Sequence, residues 1–123
     1  MKLRILDDHV RLRLDRDEVN RIGAGGTVTG LTRFPNGSTF GYALRVTGSA
    51  ISARFEHDTL TIDLPPTIAI AWARDERAVS IDDEIGPGAR RLGILVEKDF
   101  ECLEPRPGED QRNRFPNPNA AVD

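Results

Sequence analysis

The chain has 123 residues, 38% hydrophobic and 30% charged, which suits one soluble folded domain and excludes a wholly disordered chain. Residues 1–50 carry a net charge of +3 and residues 51–123 a net charge of −6, so the overall −3 argues against a nucleic-acid binder built on bulk positive charge. A single cysteine, Cys102, allows no internal disulfide. No apolar run reaches a membrane-spanning length and the opening has no apolar signal segment, so a cytoplasmic location is expected.

Lys2 to Leu6 alternates as a short strand. Asp7 and Asp8 supply a turn, because short acidic side chains bond their own backbone and tolerate left-handed geometry. His9 to Leu14 alternates strictly, with Val10, Leu12 and Leu14 facing in and His9, Arg11 and Arg13 facing out. Asp15 then caps a short helix that carries Asp17 and Glu18 in its first turn and Val19 and Ile22 as its buried stripe. The glycines from Gly23 to Gly26 end that helix. Residues 27–34 and 38–47 form a hairpin around Pro35, Asn36 and Gly37, with Phe40, Tyr42, Leu44 and Val46 on one face.

The same order then begins again. Residues 50–56 and 59–64 are strands about a His57–Asp58 turn, and Pro65 and Pro66 open a helix whose stripe is Ile68, Ala71 and Trp72. A turn at Asp75 and Glu76 leads to a strand over 78–81, and Asp82, Asp83 and Glu84 read as a solvated acidic turn. Residues 90–97 close with Leu92, Ile94 and Val96 on one face and Leu95 opposite them, as in a strand covered on both sides. A fifty-residue slide lays Arg4 on Arg54, Asp8 on Asp58, Val10 on Leu60 and Leu14 on Leu64. One further residue sets Val28 against Val79, and another sets Tyr42 against Ile94.

This pattern predicts an α+β, β-dominated domain over 1–103, made of two tandem ββαβ-type repeats (1–47 and 50–97) that share one core. The two would close as a pseudo-twofold barrel, of swapped-hairpin or double-psi kind, or as a sandwich. Residues 104–123 form a Pro-rich tail, held to the body at Phe100 and Phe115 or reaching a partner subunit.

Catalytic and metal motifs are weak. The Gly23–Gly26 cluster follows a helix and has no lysine, so it is a helix end and not a phosphate loop. His9 and His57 sit at turns without companion ligands, and Cys102 has acidic neighbours that suppress its thiolate. No catalytic set, metal site or cofactor is predicted. The most suggestive surface is Arg4, Arg11 and Arg13 on adjacent strands with Arg16 just beyond, a face suited to a phosphate, a carboxylate or a nucleic-acid backbone. The plainer reading pairs these arginines with Asp7, Asp15 and Asp17. A binding or regulatory module using this face ranks first. A protein-interaction or antitoxin-like module using the tail, as a homo-oligomer or with another protein, ranks second, and a small enzyme with a site between the repeats third.

Two resemblances rest on particular residues. The opening Arg4 to Leu6 and Val10 to Leu14, with the closing Ile94 to Leu103, Glu109, Asp110 and Phe115 to Pro118, resemble an uncharacterised family of short bacterial proteins with no assigned activity. The repeat unit, seen in Val10 to Val19 with Thr27 and Val28 and in Leu60 to Pro65 with Trp72 and Val79 to Ile81, is similar to AbrB/MazE-like swapped-hairpin regulators and antitoxins. That second likeness implies a dimer-like barrel within one chain. The first copy lacks the proline after its strand, and no basic DNA-contacting loop is recognisable.

Overall fold

A computed structural model describes residues 1–99 and Phe115; the proposed boundary at 103, Phe100, Cys102 and the rest of the tail lie outside the described residues. Strands β1 (Lys2–Leu6) and β2 (His9–Leu14) form a hairpin, followed by helix α1 (Arg16–Gly23) and the hairpin of β3 (Val28–Arg33) and β4 (Thr39–Val46). Hairpin β5 (Ser52–Glu56) and β6 (Thr59–Leu64) comes next, then α2 (Pro66–Arg74), β7 (Ser80–Ile85), a single 3₁₀ turn (Gly88–Arg90) and β8 (Leu92–Lys98).

Local chemistry accounts for most of these boundaries. Both short hairpins turn through left-handed backbone, at Asp7 (φ 49°) and at His57 and Asp58 (φ 52° and 58°), where short polar side chains are tolerated. Asp15 caps α1 in a full capping box: the Glu18 amide donates to Asp15 Oδ1 and the Asp15 amide to Glu18 Oε1, each at 3.0 Å. Proline at the first position of α2 sacrifices an amide that would have no helical partner.

The strands assemble into two four-stranded sheets, ordered β1-β2-β8-β7 and β3-β4-β6-β5. Hairpin β7–β8 completes the sheet begun by β1–β2, and hairpin β3–β4 completes the one begun by β5–β6. The joins are the parallel pairs β2·β8, with Val10 opposite Ile94, and β4·β6, with Tyr42 opposite Leu60. The first and second halves of the chain are therefore interlocked, each supplying one hairpin to each sheet.

One core unites both sheets and both helices. It contains Val10, Leu12 and Leu14 of β2, Leu60, Ile62 and Leu64 of β6, Leu44, Ile94 and Val96 of the parallel partners, and Val19, Ile22, Ala69 and Trp72 of the helices. Burying a large aliphatic side chain contributes about 1.5–3 kcal/mol, so these central positions dominate stability.

Four expectations need correction. The sheets do not close into a barrel: β1, β7, β3 and β5 are outer strands, and exposed charges at Arg4, Glu84, Arg33 and Arg54 discourage further pairing. The acidic run from Asp82 to Glu84 is not a turn but the middle of edge strand β7. The stripe of α2 is Ala69 and Trp72; Ile68 is 41% exposed and Ala71 faces solvent, because the helix turns its other side to α1 and the core. The strand expected over 78–81 begins only at Ser80, where Ile81 pairs with Val96, and Val79 lies before it and is 42% exposed.

Candidate functional site

The outward residues of the β1-β2-β8-β7 sheet fall into rows that cross all four strands. One row runs Leu6, His9, Gly93, Glu84; the next runs Arg4, Arg11, Leu95, Asp82; the third runs Lys2, Arg13, Glu97, Ser80. The first two rows line an open pocket of about 630 Å³, within the size range of small-molecule sites. Its floor is made possible by Gly93. Any Cβ there would collide with His9 Nδ1, so the glycine leaves room for the imidazole against β8.

The charges of this face are unevenly satisfied. Glu97, mostly buried, accepts from Arg11 Nε at 2.6 Å and also from Arg13 Nε, so one carboxylate holds two guanidinium groups. Arg4 lies directly opposite Arg11 across β1 and β2, and it makes no ion pair among the described residues. Like charges opposed across a strand pair are unfavourable, and Glu97 is one carboxylate among three arginines. On the far edge, Glu84 pairs loosely with Arg91 at 3.6 Å, while Asp82 has no ion pair among the described residues.

The structure thus brings together Arg4, Arg11 and Arg13 on one face, with only the first two lining the pocket. Arg16 is elsewhere: it begins α1, and its guanidinium carbon lies 5.7 Å from the centre of the Phe115 ring. Nor do Asp7, Asp15 and Asp17 neutralise the arginines; the carboxylate that does so belongs to Glu97, more than eighty residues away in sequence and adjacent only through the parallel β2·β8 pairing. Sequence reasoning missed Glu97, Asp82 and Glu84. The alternation of residues 92–96 was the signal for Glu97, since it puts residues 93, 95 and 97 on the face opposite the core.

The other sheet lacks this site. On its outward face Arg45 of β4 donates to Asp63 of β6 through Nε at 2.7 Å and Nη2 at 2.9 Å, and Arg54 Nη1 adds a third bond at 3.2 Å. Asp63 is 7% exposed, and the hydrogen bond from Arg45, helped by Arg54 and opposed by burial, holds its carboxyl below the ordinary value. That cluster is closed upon itself. A further buried charge, Lys98, donates from Nζ to the Asp75 carbonyl at 2.7 Å between the rings of Trp72 and Phe115; burial lowers its pKa, with Asp75 and Glu76 opposing. Among the described residues no group of three His, Cys, Asp or Glu side chains is placed to hold a metal ion, and no helix is long and apolar enough to cross a membrane.

A model of a family of unknown function, DUF7009, matches residues 1–119. The chain belongs to that family. No curated protein and no solved structure matches it. Membership agrees with the resemblance carried by the opening and closing segments, and it supplies no activity.

Proposed function

We propose that the protein is a binding module that takes an anionic group, a carboxylate or a phosphate, on the outer face of the β1-β2-β8-β7 sheet. The observation that carries this reading is Arg4: a guanidinium opposed in register to Arg11, bordering the pocket, and without an ion-pair partner among the described residues. An anion between them would relieve the repulsion and use the planar donor fork of each. Glu97 keeps Arg11 in place while leaving Arg4 available. A long polyanion suits the face less well, because Asp82 and Glu84 border the same pocket and would repel a nucleic-acid backbone.

The reading also rests on a proposed duplication. Lys2 is opposite Arg13 as Ser52 is opposite Asp63, and Val10 is opposite Ile94 as Leu60 is opposite Tyr42, so corresponding pairs recur fifty to fifty-two residues on. On this view the two sheets descend from one unit, and one of them kept an open basic face while the other neutralised its own. Phe115 would serve the body: its amide donates to the Asp99 carbonyl at 2.9 Å and its ring packs beside the core.

The test is calorimetric titration of the full chain with succinate and with inorganic phosphate, in the wild type and in Arg4→Gln. Binding by the wild type that weakens about tenfold in the variant is expected, the loss of one charge-assisted contact. Equal affinity in the two proteins would refute the assignment.

A further inference from the structure

We infer that the ligand of this pocket is a small zwitterion, with its anionic end at Arg4 and Arg11 and a cationic end at Asp82. This rests on the anion-binding reading above and adds the second half of the ligand. The row Arg4, Arg11, Leu95, Asp82 crosses the sheet as cation, cation, apolar, anion. Its two ends, Arg4 and Asp82, are the members with no ion pair among the described residues, and both line the pocket. Both ends can therefore accept a charged group without dismantling an existing contact. Neighbouring strands are about 4.8 Å apart, so β2 and β7 stand about 10 Å from one another.

The middle of the pocket is suited to the connecting atoms of such a molecule. Leu95 is half-buried and offers an apolar floor, and beside it the His9 imidazole lies over Gly93 as a second wall of the passage from β2 to β7. Glu84, next to Asp82 on the same face, strengthens the negative end although Arg91 takes part of its charge. The corresponding row of the other sheet is Arg54, Thr61, Ala43, Thr29, which has no acid at its far end. The dipolar arrangement is thus a property of one face of the molecule, beyond what pairing of surface charges for stability requires.

The experiment compares three probes on the full chain: 8-aminooctanoate, octanoate and 1-aminooctane. The first is chosen because its charged ends match the two-strand spacing of about 10 Å. The expected result is that 8-aminooctanoate binds about fivefold more tightly than octanoate, the worth of one exposed ion pair. Asp82→Asn should abolish that advantage, bringing 8-aminooctanoate and octanoate to equal affinity, and Arg4→Gln should weaken both carboxylates. Octanoate binding with no advantage for the amino acid, or an advantage that survives Asp82→Asn, overturns the zwitterion and leaves the anion site standing. Failure of both carboxylates to bind overturns the two together, and preference for 1-aminooctane reverses the polarity proposed.

Discussion

Replacing Asp63 by asparagine tests how the two halves of the chain are joined at the β4·β6 pair. The carboxylate accepts three hydrogen bonds from two guanidinium groups, at 2.7, 2.9 and 3.2 Å, and is 7% exposed. Hydrogen bonds to charged groups contribute about 1.5–3 kcal/mol each when wholly lost. The asparagine oxygen keeps one acceptor, and both arginines reach solvent, with side chains about 40% exposed. The net loss should therefore fall near the low end, about 2 kcal/mol. For a domain of this size that lowers the midpoint of thermal unfolding by about 10 °C, read by circular dichroism at pH 7. The pH dependence supplies an independent check. A carboxyl held below its ordinary value of 3.8 stabilises the fold fully above that value, and loses the contribution as pH falls through the lower, folded-state value. The gap between wild type and Asp63→Asn should stay constant from about pH 7 to pH 5 and close in stronger acid. A gap below about 3 °C at pH 7, or one that persists unchanged in acid, would refute the reasoning.

Exchanging the pair, Arg45→Asp with Asp63→Arg, should restore part of the stability lost in Asp63→Arg, since the two residues are opposed in register while Arg54 is left facing an arginine; thermal melts of the three proteins decide it. Trp72→Ala should cost about 3–5 kcal/mol in urea unfolding, because the indole is 4% exposed and its N–H donates to the Val79 carbonyl at 3.2 Å; a loss under about 1 kcal/mol would contradict its place in the core. Phe115→Ala should raise the pKa of Lys98 toward 10.5, because burial is what lowers it and the ring covers the ammonium group; an NMR titration of the lysine Cε protons reads the shift, and an unchanged value would mean that the aromatic cover is immaterial.

Strand β2 shows why so much of the core was legible. Val10, Leu12 and Leu14 alternate with His9, Arg11 and Arg13 between two unambiguous turn signals, and a residue-by-residue period of two leaves one choice of face. The same holds for Leu60, Ile62 and Leu64. Strand β7 was legible only at its start, Ser80 and Ile81, because its outward residues are Asp82 and Glu84 and the exposed inward Asp83 interrupts the alternation between Ile81 and Ile85. The site suffered from a different gap. Arg4 and Arg11 could be placed on one face from their own hairpin, but Glu97 and Asp82 reach that face only through pairings of high sequence separation, which local pattern does not encode. The ion pairs between halves share a polarity that explains the charge asymmetry of the chain: Lys2, Arg11, Arg13 and Arg45 supply the cations, and Asp99, Glu97 and Asp63 the anions.

The most direct measurement is an amide chemical-shift map of the intact protein titrated with succinate, using its two sheets as mutual controls. Binding at the basic face predicts shifts concentrated at Arg4, Arg11, Gly93 and Leu95, with Arg54, Thr61, Gly41 and Ala43 of the other sheet left in place. Shifts of equal size on both sheets, or none on the first, would contradict it.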